Sequence, residues 1–427
     1  MKVLIVGGGG REHAIALKIK ENPEVTALYA APGNGGIAQI ATCLPFKATD
    51  VDGIVRWAAE NKVDFVIVAP DDPLCLGMVD ALAAQGIPAF GPRKNAAIIE
   101  GSKVFSKNLM KKYGIPTAAY ETFDDYDAAV KYLQTADMPI VVKADGLALG
   151  KGVLICPDCE SAVEAVASMM KEAKFGASGA RVVIEEFLTG PEVSVLAFTD
   201  GKTVKPMVSS MDHKRALDHD EGLNTGGMGT IAPNPCYTPE LAQRCMDEIF
   251  LPTIAAMNAE GRTFTGCLYF GLMMTPKGPK VIEYNCRFGD PETQVVLPLL
   301  KSDLLTIMRA TVDGTLADTP VEFASGAACC VVLASGGYPV SYKSGYPISG
   351  LDEAGKTATV FHAGTKLVDG QIVTAGGRVL GVTATADTLE AAIDKAYQAA
   401  DKITFTDMHM RRDIGQRALA SRKESHS

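Results

Sequence analysis

The sequence predicts an α/β fold that begins with a parallel sheet, continues as a mixed α+β region and ends in a small β-rich segment. The first hundred residues alternate short apolar runs with helical patterns, which is typical of a parallel sheet covered on both faces. From about residue 120, apolar runs follow one another with tight turns between them, as antiparallel strands do. From about residue 327, four strand-like runs accompany one helix near residues 388–402.

Length and charge exclude several classes of protein. A chain of 427 residues is long enough for roughly three domains that each bury a core. The formal net charge of -9 repels a polyanion, so we predict no nucleic-acid partner. No apolar run reaches the roughly 18 residues of a membrane span, and the first residues lead into a strand rather than a secretion signal. These features predict a cytoplasmic protein without a membrane segment.

The N-terminal pattern predicts where binding loops lie. Predicted strands cover residues 2–6, 25–30, 63–69 and 87–90, and a predicted helix covers residues 11–20. In a parallel sheet, the loops that follow the C-terminal ends of the strands carry the chemistry. The loops expected to do so here are residues 7–10, 31–36 and 70–73.

Four consecutive glycines, residues 7–10, follow the first predicted strand. The dinucleotide-binding pattern G-x-G-x-x-G requires a third glycine where the helix packs on the strand, and this chain has Glu12 or His13 there. A glycine loop that leads into a helix N-terminus still binds anions through its free N–H groups. We therefore predict that the loop approaches a substrate rather than a nicotinamide cofactor.

A second glycine-rich segment follows Lys143. It fails the P-loop pattern, because Gly146 and Gly150 are too close together and Gly152 replaces the Ser or Thr that holds magnesium. A glycine-rich hairpin of this kind can fold over a triphosphate, with Lys143 on the preceding strand neutralising its charge. Taken alone, the segment is equally well interpreted as a surface hairpin.

Two further segments suit a nucleotide. The predicted strand 181–187 ends in an acidic hinge at Glu185, which can bind an adenine edge and a ribose diol, although glutamates at a strand end are usually solvated. Glu283 and Asn285 point to one face of a later strand, and two hard oxygen donors suit Mg²⁺ completed by phosphates and water. Arg287 lies just beyond them and can clamp a transferring phosphoryl group.

The polar stretch 212–229 is interpreted as a binding loop rather than a linker. His213 within it is expected to be a structural hydrogen-bonding residue rather than a general base.

Ten cysteines, two of them spaced as Cys156-x-x-Cys159, invite a metal or disulfide interpretation. No second pair has matching spacing, so buried free thiols are predicted instead.

Together these segments resemble the ATP-grasp superfamily and, within it, the phosphoribosylamine–glycine ligases of purine biosynthesis. The matching blocks keep the family's order and span nearly the whole chain: 9–14 (GGREHA), 31–34 (APGN), 143–146 (KADG), 212–215 (DHKR), 224–229 (NTGGMG), 285–292 (NCRFGDPE) and 362–366 (HAGTK). The resemblance implies a biotin-carboxylase-like N-terminal domain over 1–101 and a two-lobed ATP-grasp domain over 102–326, with lobes at about 120–190 and 191–326. A small C-terminal domain would cover 327–427.

The resemblance also implies the reaction. ATP, glycine and 5-phosphoribosylamine would give glycinamide ribonucleotide, ADP and phosphate, with Mg²⁺ or Mn²⁺ as the metal. A monomer is expected, with a dimer as the alternative.

Site residues are implied by the matching positions. The ATP contacts would be Lys103, Lys143, Gly150, Lys151, Glu185, Leu188 and Glu192. The contacts to the other substrates would be Gly9, Gly10, Asn34, Asp71, Thr225, Gly226, Gly227, Met228, Lys366 and Arg378, the last two on the sugar 5-phosphate. The metal ligands would be Glu283 and Asn285, and the catalytic residues Arg287, Lys143, Asp212 and Asp290.

Two positions depart from the family pattern, which more often has Asn at Gly8 and Glu at Asp71. Asp71 is one methylene shorter than Glu, which puts its predicted sugar contact in doubt. Three alternatives stay open at this point: a related ATP-grasp ligase that uses formate or bicarbonate, a nicotinamide-binding oxidoreductase, and a non-catalytic nucleotide-binding module.

Overall fold

The protein, seen in a computed structural model that describes residues 1–147, 152–172 and 175–424, begins with a five-stranded parallel sheet. The strand order is β3-β2-β1-β4-β5. The strands are β1 (Lys2–Gly7), β2 (Ala27–Pro32), β3 (Thr42–Cys43), β4 (Phe65–Val68) and β5 (Ala89–Phe90). The helices are α1 (Gly10–Lys20), α2 (Val51–Glu60), α3 (Asp71–Cys75), α4 (Met78–Ala84) and α5 (Lys94–Gly101).

The parallel sheet confirms the fold class predicted for this region. Alternate residues of β1 enter different hydrophobic cores, Leu4 and Val6 one core and Val3 and Ile5 the other, because helices cover both faces of the sheet. The predicted loop 70–73 is wrong in part, since α3 begins at Asp71. Acidic residues in the first turn of a helix are stabilised by its dipole, and that preference favours a helix start here.

A small antiparallel sheet follows, with the order β6-β9-β7-β8. Its strands are β6 (Tyr120–Phe123), β7 (Ile140–Ala144), β8 (Val153–Cys156) and β9 (Val182–Glu186), and the helices of this part are α6 (Lys103–Tyr113), α7 (Tyr126–Leu133) and α8 (Cys159–Met170). Apolar residues of α7 and α8 share one core with β7 and β9. Asp158 caps the start of α8, because its side chain accepts a hydrogen bond from the Ser161 N–H (2.8 Å).

Eight strands and four helices make up the next part. The strands are β10 (Glu192–Thr199), β11 (Val204–Pro206), β12 (Met211–Asp212), β13 (Arg215–Leu217), β14 (Glu221–Asn224), β15 (Gly229–Ala232), β16 (Gly266–Thr275) and β17 (Gly278–Asn285). The helices are α9 (Pro239–Cys245), α10 (Leu251–Ala259), α11 (Thr293–Val296) and α12 (Leu304–Asp313). An antiparallel sheet with the order β11-β10-β16-β17 forms its base, and β13 and β14 form a separate hairpin.

The last part contains five strands among the described residues, not the four predicted. They are β18 (Ala327–Ala334), β19 (Thr359–His362), β20 (Thr365–Val368), β21 (Gln371–Thr374) and β22 (Arg378–Ala386), with helices α13 (Leu351–Gly355), α14 (Leu389–Ala400) and α15 (Gln416–Glu424). The sheet order is β12-β15-β18-β22-β19, so two strands from the preceding part belong to it. The predicted division at residue 327 therefore runs through a shared sheet, and the three-domain division stays a prediction.

Candidate active site

Lys143, Glu283 and Asn285 lie together between the small antiparallel sheet and the edge of β17. The Lys143 ammonium, on β7, donates a hydrogen bond to the Ile282 carbonyl on β17 (3.3 Å). The pairing of β16 with β17 shifts between Gly271 and Leu272, which places a bulge at residue 282. A bulge changes the direction of the side chains that follow it, and Glu283 and Asn285, which share one face of β17, come next. The three residues on which the predicted nucleotide site depends are thus brought to one cleft.

Four cations surround the Glu283 carboxylate. The Lys214 Nζ atom is 3.7 Å from Glu283 Oε1 and 3.6 Å from Glu192 Oε2. Although burial favours the neutral acid, Lys214, Lys143, Lys103 and Arg287 hold the pKa of Glu283 below its ordinary value. Three of these cations also pair with other carboxylates, Lys214 with Glu192, Lys143 with Glu185 and Arg287 with Glu100. The cleft therefore gathers cationic side chains at one place, where they can contact the oxygens of a polyphosphate. The sequence prediction gave Lys214 no role of its own.

The oxygen atoms at this cleft fit a divalent cation that is completed by phosphate oxygens. The Asn285 Nδ2 group donates to Glu100 Oε1 (3.1 Å) and to the Tyr284 carbonyl (2.9 Å). Its Oδ1 atom has no hydrogen-bond partner in the part of the chain that the structure describes. Across the same residues there is no cluster of three or more His, Cys, Asp or Glu side chains that could hold a metal. One carboxylate and one amide oxygen are a donor set typical of Mg²⁺ bound with substrate phosphates.

Glu100, which the sequence prediction missed, holds the residues that follow β17. Its carboxylate accepts hydrogen bonds from Arg287 Nη2 (2.8 Å) and from the Cys286 N–H (2.7 Å), in addition to Asn285. The Arg287 Nε atom is buried without a partner. Burial opposes the charge of Arg287, but Glu100 and Asp71 raise its pKa, so the guanidinium stays protonated. Against the effect of burial, Arg287 and Arg11 lower the pKa of Asp71.

Glu185 lies at the end of β9 with its side chain buried, unlike most glutamates at the end of a strand. Its carboxylate pairs with Lys143 and, at 2.6 Å, with Lys107 Nζ. Lys107 was also missed; its ammonium donates to Thr117 Oγ1 (2.8 Å) and the Ala118 carbonyl (3.2 Å). Because the Glu185 side chain is engaged by lysines, only the backbone of the 185–188 hinge is left to meet an adenine edge. Leu188 itself is half-buried.

The start of the second glycine segment is fixed to α6. Lys103 Nζ donates to the Gly146 carbonyl (2.7 Å), and Gly146 has a φ of +89°, which favours glycine. Asp145 accepts a hydrogen bond from the Val104 N–H (3.2 Å) and pairs with Arg181 (2.6 Å). Gly150 and Lys151 lie outside the described residues. Their predicted ATP contacts and the predicted closure of segment 146–152 stay predictions.

The first glycine run meets carboxylates of the protein itself. The Gly9 N–H donates to Glu12 Oε2 (2.7 Å), and the Arg11 N–H donates to Asp290 Oδ2 (3.2 Å). A Cβ atom on Gly10 would lie 2.5 Å from Gln294 Nε2, and one on Gly8 would lie 2.4 Å from the Gly33 carbonyl oxygen. The anion-binding capacity expected at this helix N-terminus is therefore used in part by Glu12 and Asp290, which also pair with Arg11 and Arg378.

The predicted sugar-site residues divide into engaged and free groups. The Asn34 amide donates to the carbonyls of Gly8 (3.0 Å) and His362 (2.7 Å), so it fixes the glycine run rather than facing a ligand. Arg378 donates to the Gly226 and Asp290 carbonyls (2.9 and 3.0 Å). Burial works against ionisation of Asp290, but Arg378 and Arg11 lower its pKa. Lys366 on β20 is exposed and has no partner among the described residues.

Asp212 and Glu292 form an acidic pair beside the loop 225–229. Burial and the nearby Glu292 raise the pKa of Asp212 well above its ordinary value, and burial also raises the pKa of Glu292. The Tyr269 hydroxyl donates to Glu292 Oε1 (3.3 Å). A Cβ atom on Gly227 would lie 2.6 Å from Asp212 Oδ1, so the loop passes directly over this carboxylate. Glu292 was not among the predicted site residues.

The loop 225–229 is held by its own backbone and by the last part of the chain. Thr225 Oγ1 donates to the Lys214 carbonyl (2.8 Å) and accepts from the Gly227 N–H (3.0 Å). The Gly226 N–H donates to the Tyr338 hydroxyl (3.1 Å). Met228 is fully buried and its N–H donates to the His213 carbonyl (2.7 Å), so neither group of Met228 is available to a substrate.

His213 has the structural role expected from the sequence. One ring nitrogen lies 3.1 Å from the Gly229 carbonyl, and the other accepts from the Gly415 N–H (3.1 Å). Burial lowers the pKa of His213 to about 4, so the ring is neutral at neutral pH.

All ten cysteines are free thiols, six of them buried. No helix in the described ranges combines the length and apolar composition that a membrane crossing requires.

Comparison with known proteins agrees with this geometry. Three family models match in order: the N domain of phosphoribosylglycinamide synthetase at residues 1–100, its ATP-grasp (A) domain at 101–293 and its C domain at 328–417. The chain is 48% identical over 425 residues to the phosphoribosylamine–glycine ligase of Halalkalibacterium halodurans, covering 100% of this chain and 99% of that protein. It is also 48% identical over 414 residues to the enzyme of the same name from Caldanaerobacter subterraneus subsp. tengcongensis, covering 97% and 99%.

Solved structures resemble the whole fold. The crystal structure of phosphoribosylamine–glycine ligase from Thermotoga maritima has a TM-score of 0.86 and 34% identity, covering 97% of this chain and 100% of that one. The biotin carboxylase domain of 2-oxoglutarate carboxylase from Hydrogenobacter thermophilus shares the fold at a TM-score of 0.72 and 18% identity, covering 96% and 91%. The chain belongs to the phosphoribosylamine–glycine ligase family of ATP-grasp ligases, which act in purine biosynthesis.

Proposed function

We propose that this chain joins glycine to 5-phosphoribosylamine, with conversion of ATP to ADP and phosphate, through a glycyl phosphate intermediate. The observation that carries the proposal is the group of cations, Lys103, Lys143, Lys214 and Arg287, that lie close enough to the Glu283 carboxylate to lower its pKa. A carboxylate is a poor electrophile until one of its oxygens becomes a leaving group. Phosphorylation supplies that leaving group, and transfer between two anions requires concentrated positive charge.

In the first step, the γ-phosphoryl group passes from ATP to a carboxylate oxygen of glycine, and ADP leaves. Arg287 is proposed to contact the transferring group, because its charge acts on Glu283 and its Nε atom has no hydrogen-bond partner among the described residues. Lys143 and Lys103 are proposed to contact the ATP phosphates, the 185–188 hinge the adenine and Glu192 the ribose. Glu283 and Asn285 would hold Mg²⁺ or Mn²⁺, which supplies charge neutralisation to the phosphates.

In the second step, the amine nitrogen of 5-phosphoribosylamine attacks the carbonyl carbon of the glycyl phosphate. The C–N bond forms, the C–O bond to phosphate breaks, and the nitrogen loses one proton, which the leaving phosphate can accept. No covalent bond to a Cys or Ser of the protein is part of this route.

Two sets of carboxylates suit the amines of the two substrates, glycine and 5-phosphoribosylamine. A bound ammonium favours ionised carboxylates, and the buried Asp212–Glu292 pair would gain such a partner from glycine. Asp290 beside Gly9 and Gly10 is proposed to face the sugar amine, with Asp71 nearby and with Lys366 and Arg378 towards the 5-phosphate. We further propose a cytoplasmic monomer, with a dimer as the alternative.

The test is a coupled assay of ADP release with ATP, glycine and freshly made phosphoribosylamine, in which each component is omitted in turn. We expect ADP release only with all three. Release with formate or bicarbonate in place of glycine would contradict the assignment of glycine, and tight NAD binding without ATP turnover would contradict the reaction class. Trapping of a glycyl group on the protein would contradict the route without a covalent enzyme intermediate.

A further inference from the structure

Glu100 is the last residue of the N-domain match, yet its side chain reaches the cleft of the ATP-grasp domain. It lies near the end of α5, and its side chain is 6% exposed. The two carboxylate oxygens accept hydrogen bonds from three consecutive residues, Asn285, Cys286 and Arg287. A single buried carboxylate therefore fixes the whole turn that leaves β17.

The contact with Asn285 decides which end of its amide faces the cleft. The oxygen and nitrogen of an amide are nearly equal in size, so only hydrogen-bond partners determine its orientation. Arg287 Nη2 and the Cys286 N–H can only donate, and they meet the two Glu100 oxygens, so Glu100 acts as an acceptor and requires the Asn285 nitrogen on its own side. The Tyr284 carbonyl takes the second N–H, and the Oδ1 atom is left for another ligand.

The contact with Arg287 orients the guanidinium. Glu100 takes Nη2, and the Phe288 carbonyl lies 3.3 Å from Nη1. Nε is the buried group without a partner. Because both Nη groups are held, rotation of the guanidinium is restricted and Nε keeps one direction.

We propose that Glu100 is a positioning residue that presents the Asn285 amide oxygen to the divalent cation and the Arg287 guanidinium to the transferring phosphoryl group. This inference depends on the proposed function, because it assumes the metal and phosphoryl roles of those two residues. Partners that orient metal ligands typically change metal affinity or activity about 10–100-fold when they are altered.

The decisive variant is Glu100→Gln, which keeps the shape and replaces one acceptor oxygen by an NH₂ donor. That donor meets an N–H of Asn285, Arg287 or Cys286 in either amide orientation. Glu100→Asp keeps the acceptors at a shorter reach and serves as the conservative variant. The control is Glu24→Gln, which removes an exposed carboxylate. Glu24 pairs with Arg309 (3.1 Å) and with none of the cleft residues.

Two measurements are made on each full-length variant: Mn²⁺ affinity in the presence of ADP, from the electron paramagnetic resonance signal of free Mn²⁺, and kcat and KM for ADP release. For Glu100→Gln we expect about 10–100-fold weaker Mn²⁺ binding and a similar fall in kcat, with little change in KM for phosphoribosylamine. Glu100→Asp should recover part of both losses, and Glu24→Gln should match the unmodified protein.

Unchanged Mn²⁺ affinity and kcat in Glu100→Gln would overturn the inference. So would an activity loss that only follows the folded fraction measured by circular dichroism, with normal Mn²⁺ binding in the folded protein. If Glu100→Gln does not fold, Glu100→Asp carries the test, and normal Mn²⁺ binding and kcat in that variant would overturn it. If the unmodified protein shows no ADP release, the proposed function fails, while the Mn²⁺ measurement still tests Glu100.

Discussion

The two glycine-rich regions of this chain have different charged neighbours. At the first, residues 7–10, the N–H groups of Gly9 and Arg11 are taken by the carboxylates of Glu12 and Asp290. Near the second, which follows Lys143, three lysines and an arginine act on the Glu283 carboxylate and lower its pKa. Glycine content alone indicates only that a backbone approaches something closely. The charged side chains around it limit which chemical group it can meet, and we propose an amine at the first region and phosphates at the second.

The largest expected effect tests the cationic region. Arg287→Lys keeps a positive charge but cannot maintain both Nη contacts and the free Nε. We expect kcat for ADP release to fall about 10³-fold, as when an arginine that stabilises phosphoryl transfer is lost. KM for phosphoribosylamine should change little, because we propose that the sugar binds at the first region. A kcat within tenfold of the unmodified protein would remove Arg287 from the phosphoryl-transfer step.

A smaller effect is expected at the first glycine-rich region, beside Asp290. Asp290→Asn removes the charge that faces the Arg11 N–H and Arg378. We expect KM for phosphoribosylamine to rise about 10–100-fold, since a hydrogen bond to a charged group contributes about 1.5–3 kcal/mol. The dissociation constant of ADP, measured by calorimetry, should stay the same. Weakened ADP binding with normal sugar binding would reverse the assignment of the two regions.

The first glycine-rich region should also be more sensitive to low pH than the second. Behind it, the His362 N–H donates to His13 Nδ1 (2.8 Å), which joins α1 to β19. Burial lowers the pKa of His13 to about 3 and that of His362 to about 4. Both histidines are neutral in the folded chain, and the unfolded chain binds their protons below about pH 6.5. Their contribution to stability is therefore full above that pH and is lost as the pH falls towards 4.

Each histidine should lower the free energy of unfolding by as much as about 1.4 kcal/mol per pH unit in this window. Urea unfolding between pH 8 and pH 4.5 measures the slope. His13→Gln, which keeps a hydrogen-bond acceptor without a titrating ring, should reduce it. An equal slope in that variant would show that other groups cause the acid sensitivity.

The smallest expected effect concerns Lys366, which is exposed on β20. An exposed ion pair contributes at most about 1 kcal/mol, so Lys366→Ala should raise KM for phosphoribosylamine no more than about fivefold. The effect should weaken further at high salt. No change at low salt would remove Lys366 from the 5-phosphate site.

Sequence patterns predicted the fold well where periodicity is strong. The alternation of the first hundred residues gave the parallel sheet, and the i, i+2 relation of Glu283 and Asn285 placed them on one side of β17. The blocks that match the family could also be read directly from the sequence, because each combines several unusual residues and they follow the family's order. These signals are local, and a single chain displays them directly.

Contacts between distant segments were not predictable in this way. Glu100 and Lys107 sit in ordinary helical surroundings, and only the folded chain shows that one reaches Asn285 and the other Glu185. Asn34 has a polar side chain in a binding loop, but its hydrogen bonds go to the protein backbone. The bulge at residue 282 has no residue type that marks it. Each of these features depends on tertiary packing, which single-sequence patterns do not contain.

The sharing of one sheet by β15 and β18 has a consequence for biosynthesis. Gly229 pairs with Val331, so the ribosome must make a long further stretch of chain before that edge is covered. Until then the nascent protein presents an open strand next to the loop 225–229, and open edges recruit other strands. A prematurely terminated product that ends before β18 should therefore be a target for chaperones and proteases rather than a partly active enzyme.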